Sequence, residues 1–158
     1  MGAALIAWIT AGMAALRASS SLTGVHIADS TSMAFDDVAG ADLVILGDDR
    51  DDQGLTAILN GAWHDTGANA VQRGEADVTF TIVSQSGAAL EAPARLAALN
   101  TLLTAVVAAL VPSPSGSNLG VATVLGAVPT EVTFNQVMTA SGVRVATATL
   151  TIRVQILA

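Results

Sequence analysis

Apolar residues Leu5, Ile9, Met13 and Leu16 recur at steps of four, four and three, which aligns them along one side of a helix over Ala4 to Arg17. Ser19 to Ser21 close that helix, a short strand is expected around Val25 to Ile27, and a polar loop runs through Met33 to Asp37. Leu43, Val44, Ile45 and Leu46 form an unbroken apolar run of strand length between Asp42 and Gly47. A run without alternation predicts a strand covered on both faces and central in its sheet. After the charged, glycine-ended stretch Asp48 to Gly54, residues Leu55 to His64 read as a strand and Asp65 to Asn69 as a turn. From Glu75 to Ser84 the pattern alternates, with Val78, Phe80 and Ile82 set against Asp77, Thr79 and Thr81. That predicts one face on the core and one polar.

A break at Ser86-Gly87 leads to Pro93, which suits a first helical turn because its missing N–H has no partner there to lose. The helix it opens carries Leu96, Leu99, Leu103, Val106, Val107 and Leu110 on one face and stops before Pro112-Ser113-Pro114. Val132 and Phe134 alternate in a following strand, and Leu150, Ile152, Val154 and Ile156 in the last one, with Ser141-Gly142 as the hairpin turn between them. The outward set of that last strand, Thr147, Thr149, Thr151, Arg153 and Gln155, is polar. The order helix, strands, long helix, strands predicts an α+β fold: an antiparallel or mixed β-sheet with two α-helices packed on one face, in one domain over residues 1–158. Phe80, Ile82, Leu99, Leu103, Leu150 and Ile152 should meet between sheet and long helix. No repeat of solenoid length is present.

Composition changes this picture in one respect. The chain of 158 residues is 52% hydrophobic but only 3% aromatic, so small aliphatic side chains carry the burial. Each of them buries little area, at roughly 25 cal/mol per Å², and an isolated subunit is left with a thin stability margin. With 12% charged residues and a mean hydropathy of +0.61, burial between subunits is expected to supplement burial within them. The six basic residues are all arginine and the net charge is −7, which argues against a basic grip on nucleic acid or on an anionic membrane. Gly2 to Leu16 has the apolarity of a signal sequence but no basic residue before it, so an ordinary helix is expected. Leu96 to Val111 is the longest continuous apolar helix and falls short of the ~20 residues that a bilayer span needs. The chain has no cysteine, hence no disulfide and no thiolate site.

The densest cluster of chemistry is Asp48, Asp49, Arg50, Asp51 and Asp52. Tested as a calcium loop from Asp49, it has Asp51 third and Gly54 sixth. Gln53 stands fifth, however, and Asn60 stands twelfth, where a bidentate Glu is required. A solvated loop, or an acidic surface that serves assembly, is the expectation, with no metal and no cofactor. His64-Asp65 and the trio His26, Asp29 and Ser30 have the residue types of a catalytic triad, but neighbours on a strand point to opposite faces and cannot relay a proton. No nucleophile elbow, phosphate loop or zinc-helix motif occurs, so no catalytic residue is assigned. Trp63 is expected to be a core or interface anchor.

The ordered strings Val44 to Asp48, Ala62-Trp63 with Thr66 to Ala68, Arg73 to Val78, Val83 to Gly87, the helix Arg95 to Leu110, Ser141 to Arg144 and Ala148 to Val154 resemble the tail terminator, or tail-completion, proteins of siphophages, especially those of actinobacterial phages. The likeness runs through most of the chain. The sequence departs from it in the Pro/Ser linker after the long helix and in an unusually uncharged stretch up to Thr130. The resemblance implies a non-enzymatic virion protein, made in the host cytoplasm and placed at the head–tail interface. It would form a ring, usually of six copies, that ends tail-tube polymerisation. Its implied partners are its own copies, the major tail tube protein and a head–tail connector or stopper, with DNA passing through unbound and no membrane involved. In such a ring Asp48, Asp49, Arg50, Asp51, Asp52, Trp63, Arg144 and Arg153 are the candidate assembly or bore-facing residues. Another neck or tail component, such as a connector or tube subunit, fits the same features. So, from a different class, does a small metal-binding or hydrolytic domain centred on Asp48 to Asp52 and His64.

Overall fold

The alternation over residues 75–84 builds the central strand of the sheet. The computed structural model describes residues 2–29, 40–47, 61–64, 73–85, 92–113, 117–138 and 144–157, with the backbone alone for 61–64, 137–138 and 144. Along the chain these form α1 (Gly2–Ala18), a 3-10 turn (Ser20–Leu22), β1 (His26–Ala28), β2 (Leu43–Leu46), β3 (Gly61–His64), β4 (Arg73–Ser84), α2 (Ala92–Leu110), β5 (Val124–Met138) and β6 (Arg144–Leu157). The strand order is β1-β2-β4-β6-β5, with β3 beside the start of β4. Only β1 and β2 are parallel, so the sheet is mixed and the fold is α+β, as the element order predicted.

One face of this sheet is the main core. Ala76, Val78, Phe80 and Ile82 of β4 and Ala146, Ala148, Leu150, Ile152, Val154 and Ile156 of β6 are buried there. They lie beneath Leu5, Trp8, Met13 and Leu16 of α1 and Leu99, Leu102, Leu103, Val106 and Leu110 of α2. The six residues expected to meet between sheet and long helix all belong to this cluster. Both helices are therefore on one side, and strict period-two alternation in β4 and β6 delivers every even-numbered residue to them.

The helix faces differ in detail from the sequence reading. In α1 the buried positions include Trp8 and Gly12, while Ile9 is only half-buried. Trp8 is fully buried, and its indole N–H donates to the Ser117 carbonyl at 3.0 Å; the Ser117 hydroxyl in turn accepts from the Ala127 amide at 2.7 Å. One indole thus ties α1 to the segment that leads into β5. Gly12 lets α1 approach α2, because an added Cβ would stand 3.0 Å from Leu110 Cδ2. In α2 the stripe shifts: Leu96, expected inside, is 40% exposed, and Arg95 and Leu102 are buried instead. Arg95 comes within 3.5 Å of the Ser84 hydroxyl at the end of β4, so the first turn of α2 is held to the sheet by a polar contact that rotates Leu96 outward. The 19 residues of α2, with a hydropathy of 1.5, meet the length and composition of a bilayer span, but the Leu99 to Leu110 stripe is spent on the sheet.

The outer face of the sheet departs further from expectation. The alternation predicts a polar odd-numbered side for β4. Instead Thr79, Thr81 and Val83 are buried, and Val83 joins Ala28, Leu43 and Ile45 in a second apolar cluster on that side. The sheet is thus covered on both faces at the β1–β2 end. β2 is buried on both faces, as its unbroken apolar run predicted, yet it lies between β1 and β4 and the centre belongs to β4. At the end of β2, Gly47 has φ 122°, a conformation that favours glycine; its amide donates to the Thr79 carbonyl at 2.7 Å and its carbonyl accepts from the Thr81 hydroxyl at 2.8 Å. The buried threonine hydroxyl is in this way satisfied by backbone. The expected strand over Leu55 to His64 is described only for 61–64, and the turns at Asp65 to Asn69 and Ser141-Gly142 lie outside the described residues.

Leu99→Ala should cost about 2 to 5 kcal/mol because it opens a cavity under a fully buried position, whereas Leu96→Ala should stay within about 0.5 kcal/mol. Urea titration of both variants checks the rotation of α2. Equal losses would restore Leu96 to the core.

Candidate functional site

The candidate assembly residues distribute unevenly. Asp48, Asp49, Arg50, Asp51 and Asp52 lie outside the described residues, as does Ser30. Trp63 is placed by its backbone, opposite Gly74 in the β3–β4 pair, and Arg144 by its backbone, opposite Met138 where β5 ends and β6 begins. Arg153 is described in full. Its Nε and Nη2 donate to the two carboxylate oxygens of Asp77 at 2.9 and 3.0 Å, a bidentate contact across the β4–β6 register, and Glu75 stands 3.9 Å from Nε. The hydrogen bonds that Arg153 donates to Asp77, followed by the charges of Asp77 and Glu75, raise the pKa of the Arg153 guanidinium. Beside this pair Gln155 donates to Glu75 at 3.1 Å. Arg153 is therefore engaged inside its own subunit, on a solvent-facing surface.

Register shows what shares that surface. Arg73, Glu75, Asp77, Glu131 and Arg153 all project from the sheet on the side away from the helices, among Thr133, Thr147, Thr149 and Thr151. The helical side is the opposite. No charged residue occurs from Gly2 to Leu16 or from Leu96 to Val111. The outward positions of α1 are Ala3, Ile6, Ala7, Thr10 and Ala14, and those of α2 include Leu96, Ala97, Asn100, Thr101 and Thr104. The threonines of α2 turn their hydroxyls back onto the helix, Thr101 to the Ala97 carbonyl and Thr104 to the Asn100 carbonyl, and so offer mainly methyl groups outward. Among the described residues, exposed charge is concentrated on the outer side of the sheet, and the helices expose only Arg17 at the end of α1.

β5 adds the exposed apolar groups Leu125, Val128, Val132 and Phe134. Val132 pairs with Leu150 and Phe134 with Ala148, both fully buried on the helix side, so these two side chains continue core rows past the point where helices cover them. The alternation of Val132 and Phe134 identified the strand correctly, but here it marks a surface. β5 is also the outermost strand of the sheet, with register shifts between Val124 and Gly126 and between Pro129 and Glu131. Glu131 is the single charged residue in it.

An open cleft of 390 Å³ lies where α1 ends, lined by Leu16, Arg17, Ser20, Thr23, His26 and Ile27 among others. His26 and Asp29 are both exposed. Among the described residues no three of His, Asp and Glu converge as metal ligands would.

No protein-family model and no curated protein matches the sequence. Solved structures do match in shape. A chain described as "Virion of native gene transfer agent (GTA) particle" superimposes with a TM-score of 0.57 at 17% identity, covering 93% of this chain and 92% of that one. At that identity the likeness establishes a shared fold across nearly the whole of both chains.

Arg153→Ala and Asp77→Ala should each leave the circular dichroism spectrum unchanged, and their coupling in a double-mutant cycle should shrink as salt is raised, because the pair is solvent-facing. Coupling that persists at high salt would mean a dry contact with another chain.

Proposed function

We propose that this chain is a non-enzymatic structural protein of a phage-type virion, and within that class a tail terminator: a ring at the head-proximal end of the tail tube that ends tube growth and receives the head connector. The observation that carries the reading is the near end-to-end match in fold to a chain of a gene transfer agent virion. The element order and local strings of the sequence, which resemble tail terminators, agree with it. The partners on this reading are further copies of the chain, the tube protein and a connector or stopper, located at the neck of the particle.

The physical layout of the subunit supports the role. A ring needs two different faces on each subunit, one for each neighbour, so that contacts run head to tail and close. Charge concentrated on the outer side of the sheet and apolar groups along the helices and β5 supply faces of different character. The bore must let DNA pass without holding it, and a chain of net charge −7 with few basic residues repels phosphate. Asp48, Asp49, Asp51 and Asp52 are proposed for that lining, with Arg50 and Arg144 at subunit contacts and Trp63 as an anchor; Arg153 shapes the ionic face through Asp77.

Electron microscopy of the purified protein and of the virion neck tests the proposal. The expected result is a ring that coincides with density at the top of the tail. Density in the tube shaft or head would assign the chain to another virion component. Replacing Asp48, Asp49, Asp51 and Asp52 with Asn should strengthen the ring at low salt and slow DNA ejection without altering tail length. A tetra-Asn ring that falls apart at low salt, or a divalent ion bound tightly to the acidic run, would show that those carboxylates are struts or ligands.

A further inference from the structure

Between α2 and β5 the chain makes a tight turn over Asn118 to Val121. The Val121 amide donates to the Asn118 carbonyl at 2.9 Å, and the two central residues, Leu119 and Gly120, have φ of 51° and 79°. Positive φ at both centres is the signature of a type I′ turn, whose first central position suits glycine, asparagine or aspartate. Leu119 is the one non-glycine residue at positive φ among the described residues. A leucine is strained there, because in the left-handed region its Cβ crowds the backbone carbonyl. The Asn118 side chain braces the turn by accepting from the Gly120 amide at 3.1 Å. What the leucine side chain supplies is contact. It packs against the main core, and its Cδ1 lies over Gly12 of α1, 3.6 Å from where a Cβ would stand. The notch that Gly12 leaves in α1 is thus shared by Leu110 of α2 and Leu119 of the turn.

The same segment accepts the Trp8 indole N–H at the Ser117 carbonyl. Among the described residues this is the one hydrogen bond that α1 makes to an element beyond its own end. Past the turn the chain belongs to the sheet, since the Thr123 carbonyl accepts from the Leu157 amide at 2.7 Å. We infer that Ser117 to Val121 is a strap closed under strain over α1, and that α1 and the strap open together as one unit while β4, β6 and α2 stay folded. The two parts of the molecule are held differently. β4 and β6 share twelve consecutive paired positions, whereas α1 keeps its place by side-chain packing and the Trp8 bond. Segments with few hydrogen bonds to the rest of a structure open at lower free energy than its central strands. Opening lets Leu119 relax to negative φ and withdraws it from Gly12, so release of either half loosens the other. Leu5, Trp8, Met13 and Leu16 leave the core as a row, and the strap is the catch that sets how often this happens. The inference concerns the single subunit and is independent of the ring reading.

Amide hydrogen exchange of the full chain, read by mass spectrometry, tests the strap with Leu119→Asn and Leu119→Ala. Asparagine fits the turn but cannot fill the notch, while alanine leaves the notch empty and keeps the strain. In the native chain α1 should already exchange at least tenfold faster than β4. Leu119→Asn should quicken α1 and the strap at least tenfold further, and Leu119→Ala more again, with β4 and β6 unchanged. An Asn variant whose α1 exchanges no faster than the native helix would make Leu119 a turn residue alone and overturn the inference. Equal rates in the Asn and Ala variants would remove strain from the strap and overturn it as stated. A single rate for α1 and β4 in the native chain, or β4 quickened as much as α1 in the variants, would mean one cooperative unit and overturn it as well. Trp8→Phe approaches the same catch from the other side, deleting the indole donor while leaving an aromatic ring in the core. It should quicken α1 and the strap together; a quickened α1 beside an unchanged strap would show the two to be uncoupled and sink the proposal.

Discussion

The antiparallel register between β4 and β6 is the constraint on which the rest depends. Twelve consecutive pairs, from Arg73 opposite Leu157 to Ser84 opposite Ala146, set even-numbered residues of both strands on one side. A slip of β6 by one position against β4 would send Leu150 and Ile152 to the outer face and bring Arg153 beneath the helices, away from Asp77. Burial on one face and the Asp77–Arg153 pair on the other therefore enforce the same register. The helices follow from it, since α2 needs that apolar row for Leu99 to Leu110 and α1 packs on both.

Periodicity made most of this legible. The alternation from residue 75 and from residue 150 located two strands and their inner face, and the leucine spacing located α2, because both patterns answer to a single partner surface. Where two surfaces compete for a segment, the sequence was less informative. Thr81 looks solvent-facing by type, but the Gly47 carbonyl accepts from its hydroxyl and lets it be buried. Leu96 looks buried by spacing, but the contact of Arg95 with Ser84 turns the helix. A lone arginine in an otherwise uncharged helix was the available signal for that rotation. The Trp8–Ser117 bond spans 109 positions and had no local signature at all.

The candidate assembly residues were harder to read than the fold for a related reason. Arg153 was picked out as a polar residue on a polar face, and its partner proved to be Asp77 across the same sheet. The apolar exposed groups Val132 and Phe134 were recognised as strand residues, yet nothing in their spacing separates a row covered by a helix from one that runs past it. That distinction depends on where α1 and α2 stop, which is a property of the packed molecule.

A core made of alanine, valine, leucine and isoleucine has a consequence for descent. Such residues replace one another at small cost when volume and alternation are kept, so a lineage that needs only the shape is free to change nearly every letter. A chain of this kind keeps its outline against a gene transfer agent protein across 93% of its length while sharing 17% of its residues.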